Sequence, residues 1–200
     1  METNHIWEQM AFRYDTEDRV NIAKIIVQAV RAELKDTKQK TAMDYGCGTG
    51  LIGFGLIDLF QSMLFVDTSA QMIEQVKRKI QSGHIRSANT LCYDFTVDVP
   101  PALQIDYVIM SQVLLHIKDS KLILAGLYEV LKKDGHLIIV DFDKNESIIS
   151  DKVYHGFVHN ELIQLLKQIG FMSANAHTFY HGKEIFMKKD ASMFILNAVK

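Results

Sequence analysis

Proline and cysteine are both scarce in this 200-residue sequence, at two residues each. Two prolines exclude collagen-like and proline-rich linker classes. Two cysteines, Cys47 and Cys92, make neither a disulfide framework nor a zinc site by themselves, and a reducing cytoplasm is the expected setting. No apolar run reaches the length of about 18 residues that a membrane span requires. The opening METNHIWEQMAFRYDTEDR is mixed and acidic, without the apolar centre of a secretion signal. Charge of neither sign dominates: 22 Lys and Arg stand against 24 Asp and Glu, a formal net of -2. A basic face for nucleic acid is therefore not expected. What is present is ordinary globular material, 48% hydrophobic and 23% charged, in a length that suits one domain.

From Thr41 onward strands and helices alternate, which argues an α/β fold with a largely parallel sheet. The first 40 residues read as helix, with Val20, Ala23, Ile26/Val27, Val30 and Leu34 as one apolar stripe. TAMDY (41–45) and SMLFVD (62–67) read as strands that end in or near an acid, separated by the glycine loop GCGTG and a buried helix over 51–60. Thr68 or Ser69 caps the next helix. TLCYDF (90–95), IDYVIM (105–110) and HLIIVDF (136–142) read as further strands, the last two as buried apolar runs. A helix is expected from Asp119 or Ser120 to about Lys132, ended by Asp134-Gly135, and another from Asn160 to Gln168, closed by Gly170. The tail holds two strand-like pieces, 172–180 and 192–199, which suggest an antiparallel edge hairpin. The 183–191 connection between them is ambiguous.

The strongest chemical signal is DYGCGTGLIG, residues 44–53. A strand leads through glycines into a helix, so main-chain N–H groups are left open to a ligand. In an open parallel sheet ligands sit at the carboxyl ends of strands, and Asp67 ends the next strand beside the same crevice. Its carboxylate is suited to the two hydroxyls of a ribose. Gly48-x-Gly50-x-x-Gly53 followed by Asp67 also satisfies the dinucleotide fingerprint, so a nicotinamide-dependent oxidoreductase is the competing reading. Asp44 separates the two, because a carboxylate at the strand tip repels a pyrophosphate and attracts the ammonium and sulfonium of S-adenosylmethionine. A third alternative is a catalytically silent module that keeps the donor pocket.

With these residues the chain resembles the class I S-adenosylmethionine-dependent methyltransferases of small-molecule type. DYGCGTG matches the family's acid-x-Gly-x-Gly-x-Gly motif, LFVD the acidic end of the second strand, and CYDF, DYVIMSQVLLHI and LKKDGHLIIVDF the later landmarks in order. The resemblance spans about residues 7–200 and is most specific at the first motif. It implies a single Rossmann-like domain over 1–200, with an N-terminal helical cap (1–36) and an α/β core (41–200). The implied sheet has seven mostly parallel strands, order 3-2-1-4-5-7-6 with strand 7 antiparallel, and helices on both faces. The implied cofactor is S-adenosylmethionine, leaving S-adenosylhomocysteine. By the same resemblance Asp44 and the backbone of Gly46, Cys47, Gly48 and Gly50 hold the methionine end. Asp67 binds the ribose. Thr68, Met72, Asp94 and Phe95 surround the adenine, and Ser111 and Gln112 line the methionine arm. Trp7, Ala11 and Tyr14-Asp15 resemble a closing element whose tyrosine reaches the donor carboxylate.

His116, after strand four, is a candidate general base. Candidate acceptor contacts are His116, Phe142, Tyr154, His155, Phe157 and His159, aromatic and imidazole faces that suit a small, partly apolar molecule. The pairs His155/His159 and His177/His181 have i, i+4 spacing, but the second pair lies on a strand, where that spacing is about 13 Å, and no metal site is expected. The strand-four tip MSQV lacks the Asn/Asp-Pro-Pro-Tyr of adenine and glutamine methylation, and no Pro-Cys pair supplies a cytosine nucleophile. The expected partner is thus a small-molecule methyl acceptor, with no nucleic acid and no membrane, and the chain a monomer or homodimer.

Overall fold

The structure is a computed structural model that describes residues 11–98, 100, 102–148, 150 and 153–200. Trp7 lies outside the described residues. Seven strands form one sheet in the order β3-β2-β1-β4-β5-β7-β6, as the resemblance implies. Contacts divide the chain into two units, Met1–Asp94 and Phe95–Lys200. Among the described residues no helix is long and apolar enough to cross a membrane.

In the first unit, β1 (Thr41–Tyr45) pairs in parallel with β2 (Ser62–Asp67), which pairs in parallel with β3 (Ala88–Cys92). The N-terminal helix is shorter than the periodicity predicts. After a single 3-10 turn at Ala11–Arg13, α1 runs Glu17–Glu33. Thr16 caps it by accepting from the Arg19 N–H, and Glu17 and Asp18 lie in the first turn, where the helix dipole favours anions. Ala23, Ile26 and Val30 are its buried face. The helix expected over 51–60 ends early, as α2 (Leu51–Leu56) followed by a 3-10 turn at Ile57–Leu59. α1 approaches α2 so closely that a Cβ on Gly55 would stand 2.6 Å from Val27 Cγ2. Ser69 caps α3 (Ala70–Ser82) through the Met72 N–H. The third strand stops at Cys92, which leaves Asp94 and Phe95 beyond it.

In the second unit, β4 (Ile105–Ser111) pairs in parallel with β5 (Leu131–Phe142). α4 (Ser120–Val130) ends two residues before the expected Lys132. Leu131 is already extended there and pairs with Ile105, so the LKKDG segment is a bulged start of β5 and not the end of a helix. β7 (Lys189–Val199) runs antiparallel to β5 and to β6 (Ser173–Phe186). The ambiguous 183–191 connection is hairpin: both strands extend to a two-residue turn at Met187-Lys188, each with positive φ. α5 (His159–Ile169) buries Leu162 and Leu166 and ends at Gly170, φ 128°.

Candidate functional site

The glycine loop is shaped by two strand-end carboxylates. Gly46 and Cys47 both donate their N–H to the Val66 carbonyl, 2.8 and 3.0 Å, so the loop rides on the end of β2. Gly50 takes φ 85° and starts α2. Gly53 is needed for a different reason, since a Cβ there would stand 2.4 Å from Phe65 Cε1 and 2.7 Å from Asp44 Oδ2. That proximity is used: the Gly53 N–H donates to Asp44 Oδ2 at 2.9 Å. Asp44 is only 2% exposed. Its burial pushes the carboxyl up to about 7, opposed by the Gly53 N–H and reinforced by Asp67.

Asp67 is held at both oxygens. Oδ2 accepts from the Gly48 N–H at 2.8 Å and Oδ1 from the Ser69 N–H at 2.9 Å. Burial raises its pKa, while these N–H bonds, with that of Thr68, pull it down. A carboxylate offers about four acceptor positions, so fixing two leaves acceptor capacity on a carboxylate whose orientation is set. Met72 is buried beneath the capping turn. Cys47 is buried, and burial pushes its thiol well above the ordinary range, with Asp44 and Asp67 adding to the effect. A buried thiol with a raised pKa carries little thiolate, which weighs against a nucleophilic role.

The YD element sits on this loop. A Cβ on Gly48 would lie 3.5 Å from Tyr14 Cε1, so the ring covers the bare face of the glycine. The Arg19 guanidinium stands 4.0 Å over the same ring and donates to the Tyr14 carbonyl at 3.2 Å. Burial raises the Tyr14 hydroxyl above its ordinary pKa. Beside it Asp15 accepts from the Thr49 hydroxyl and from Lys79 Nζ at 2.7 Å, and Lys79 also donates to the Thr49 carbonyl at 2.8 Å. The Thr49 side chain and Lys79 were not among the expected site groups. Lys79 lies 64 residues from Asp15, and nothing in the local pattern marks it.

In the second unit, Ser111 ends β4 and Gln112 follows at φ 54°, its N–H donated to the Val140 carbonyl at 2.7 Å. A 3-10 turn, Leu114–His116, comes next. His116 is half-buried, and that desolvation lowers its pKa, which favours the neutral imidazole. The turn is anchored by Asp141, a fully buried acid near the end of β5 that the sequence reading did not single out. Asp141 Oδ2 accepts from the Leu115 N–H at 3.2 Å and Oδ1 from its neighbour Phe142 at 2.9 Å. Burial pushes this carboxyl to about 7, against the pull of those N–H groups and that of Leu114.

The remaining acceptor candidates divide between packing and exposure. Phe142 is 4% exposed, its ring stacked on Phe186 at 4.2 Å, which commits that face to the core. Tyr154 is 45% exposed and straps its segment to the 3-10 turn, donating its N–H to Leu115 O at 2.9 Å and its hydroxyl to Lys118 O at 2.8 Å. Phe157 lies between Tyr154 and Phe194, at 6.1 and 6.3 Å between ring centroids. The His155 carbonyl accepts from the Asn145 N–H at 2.8 Å. His159 opens α5, with Nε2 2.6 Å from Asp143 Oδ1, while the Thr178 hydroxyl donates to Asp143 Oδ2 at 2.8 Å. Among the described residues no group of three or more metal-ligating side chains occurs.

A family model described as "Methyltransferase domain" matches residues 36–192. An uncharacterized methyltransferase of Schizosaccharomyces pombe is 28% identical over 131 residues, 62% of this chain and 44% of that protein. A ubiquinone biosynthesis O-methyltransferase of Pelagibacter ubique is 26% identical over 144 residues, 70% of this chain and 55% of that one. The chain thus spans about half the length of these curated relatives. Among solved structures, a Haemonchus contortus phosphoethanolamine N-methyltransferase 2 in complex with S-adenosyl-L-methionine superposes with TM-score 0.71. It is 15% identical, with 87% of this chain and 52% of that one covered, a likeness of fold.

Proposed function

The chain belongs to the class I S-adenosylmethionine-dependent methyltransferases, and from that premise we propose that it moves the donor's methyl group to a small-molecule acceptor by direct in-line transfer. The family match weighs against the dinucleotide reading of the same glycines. When bound, the donor supplies an electrophilic methyl carbon on a cationic sulfur. Asp67 and the glycine loop would hold the donor so that this carbon could pass to an acceptor in line with the sulfur. Such a reaction asks the protein mainly for alignment, worth roughly 7–11 kcal/mol where reacting atoms are held in line.

The observation that carries the reading is the orientation of Asp67, whose two oxygens are each fixed by a main-chain N–H at the edge of the glycine loop. Asp67 accepts from the ribose hydroxyls. Asp44 fixes the start of α2, and in its ionised form adds negative charge that favours a cationic donor. Tyr14 covers the loop at the donor's carboxylate end. Met72 and Asp94 pack and read the adenine, and Ser111 and Gln112 line the methionine arm. His116, whose burial favours the neutral imidazole, serves as base for an acceptor that must lose a proton.

Calorimetry with S-adenosylhomocysteine tests the donor half: binding by the wild type and its loss in Asp67→Ala support the reading, and no binding by the wild type overturns it. Incubation with methyl-labelled donor and a cell extract split by size tests the acceptor half. Label confined to the macromolecular fraction would replace a small acceptor by a protein or RNA.

A further inference from the structure

Beyond the end of β5, a cavity of about 430 Å³ opens between the segment after Phe142 and the β6–β7 hairpin. One wall is Asp143, Lys144 and Asn145. The other comes from the hairpin arms at 181–183 and 190–192. The walls are tied together, since Asp143 donates its N–H to the Ser192 carbonyl at 2.9 Å and Asn145 Nδ2 donates to the Asp190 carbonyl at 2.9 Å. The hairpin side is stiffened by the Glu184 N–H, donated to Asp190 Oδ1 at 3.0 Å. The space is therefore preformed, within the range of volumes that take small molecules.

The lining carries both signs of charge, and the hydrogen bonds decide which sign is open to a ligand. Asp143 is committed to the protein's own structure, with His159 Nε2 against one oxygen and the Thr178 hydroxyl donating to the other. Asp190 has one oxygen engaged. Lys144 is paired with Glu146 at 2.9 Å. Lys183 has no counter-ion among the described residues, although it faces a cavity with two carboxylates on its lining. His181 has Nδ1 2.6 Å from the Ser192 hydroxyl. In the tautomer whose Nδ1 accepts from that hydroxyl, Nε2 carries the proton and is a second donor. An ammonium with three donors and an imidazole N–H together suit an oxyanion.

We propose that this cavity binds an anionic group of the methyl acceptor, a carboxylate or a phosphate, through Lys183 and His181. The proposal rests on the methyl-transfer reading above and narrows it to acceptors that are acids. It assigns to the hairpin a role in selecting the acceptor.

The test uses the full chain saturated with S-adenosylhomocysteine. Inorganic phosphate and acetate are titrated separately while the His181 imidazole resonances are followed, with choline as the cationic comparison. Saturable shifts with phosphate or acetate are expected, and the tighter of the two names the group. In Lys183→Ala the apparent dissociation constant should rise by up to about fivefold, as for loss of one charged contact on an open surface. Donor affinity by calorimetry should stay unchanged. Label transferred into a metabolite pool should be retained on an anion exchanger and fall in the same variant. Saturation by choline alone, no saturation by any of the three, or label confined to the unretained fraction overturns the proposal while leaving methyl transfer standing. Failure of the wild type to bind S-adenosylhomocysteine would instead strike the methyl-transfer reading.

Discussion

Gly48 and Asp67, 19 residues apart, are joined by a 2.8 Å hydrogen bond from the Gly48 N–H to Asp67 Oδ2. The glycine loop and the acid of the next strand are thereby one unit, and the Ser69 N–H on the other oxygen ties that unit to the cap of α3. Asp67→Asn keeps a carbonyl oxygen for one of these donors and turns an NH2 toward the other. Asp67→Ala frees both. Charge-assisted bonds contribute about 1.5–3 kcal/mol each. Donor affinity should therefore fall on the order of tenfold in the Asn variant and further in the Ala variant. Calorimetry with S-adenosylhomocysteine reads this directly, and equal affinities for wild type and Asp67→Ala would refute the role.

Gly53→Ala tests how closely α2 must lie against β1 and β2. The added Cβ would overlap the Phe65 ring at 2.4 Å and the Asp44 carboxylate at 2.7 Å, neither of which can yield, since Phe65 is fully buried and Asp44 is 2% exposed. Overpacking of this kind costs about 1–3 kcal/mol. Chemical denaturation should show that loss, accompanied by weaker donor binding as the loop shifts. A variant as stable as the wild type would mean that α2 has room to move.

The glycine loop and its acids were legible because they are written in local sequence. Glycines at 46, 48, 50 and 53 and acids near the strand ends at 44 and 67 announce a loop, and in the structure Gly48 bonds Asp67 and Gly53 bonds Asp44. The order of the sheet followed from matching landmarks in sequence. Other features depend on pairings that no local pattern encodes. Asp141 looks like one more residue of an apolar strand until β4 and β5 align and bring the Leu115 N–H to it. Leu131 turns into β5 because it pairs with Ile105, although the helical pattern runs on past it. The hairpin tip at Met187-Lys188 carries no glycine or asparagine, the residues that signal a turn with positive φ, so the 183–191 segment stayed ambiguous. Phe142 was an attractive acceptor contact in sequence, but its ring is stacked on Phe186, some 44 residues away in the chain.

Lys79→Met asks whether the YD element depends on its ionic tie. Lys79 bonds Asp15 and the Thr49 carbonyl, but both charged side chains remain about one-third exposed, at 35% and 34%. Pairs so open to water contribute roughly 0–1 kcal/mol. Global stability should hardly change, while donor affinity should drop a few-fold, because Thr49 and the loop would lose a fixed neighbour. The contrast should shrink in high salt, as screening weakens the wild-type pair. A salt-independent difference in affinity would assign the effect to packing of the lysine stem.

Asp141→Asn separates the charge of the buried acid from its hydrogen bonds. The carboxyl rises from an ordinary 3.8 to about 7 in the folded chain, because burial disfavours the charged form. The folded state therefore holds this proton over a window in which the unfolded state has lost it. The stability contributed by the group is complete below about pH 4 and declines as pH rises through about 7, by on the order of 4 kcal/mol in all at about 1.4 kcal/mol per unit. Asp44, also raised to about 7, adds a second slope of the same sign. Asparagine does not titrate, so the variant should lose this slope and keep those of the other shifted groups, Asp44 and Asp67 among them. At pH 5 it should be the less stable protein by about 1–3 kcal/mol, since its single carbonyl oxygen cannot serve both the Leu115 and Phe142 N–H groups. Toward pH 8 the gap should narrow or reverse, as the wild type alone carries the buried charge at 141. Urea unfolding at pH 5, 6, 7 and 8 decides the matter, and parallel stability curves for the two proteins would show that Asp141 keeps the same protonation on unfolding.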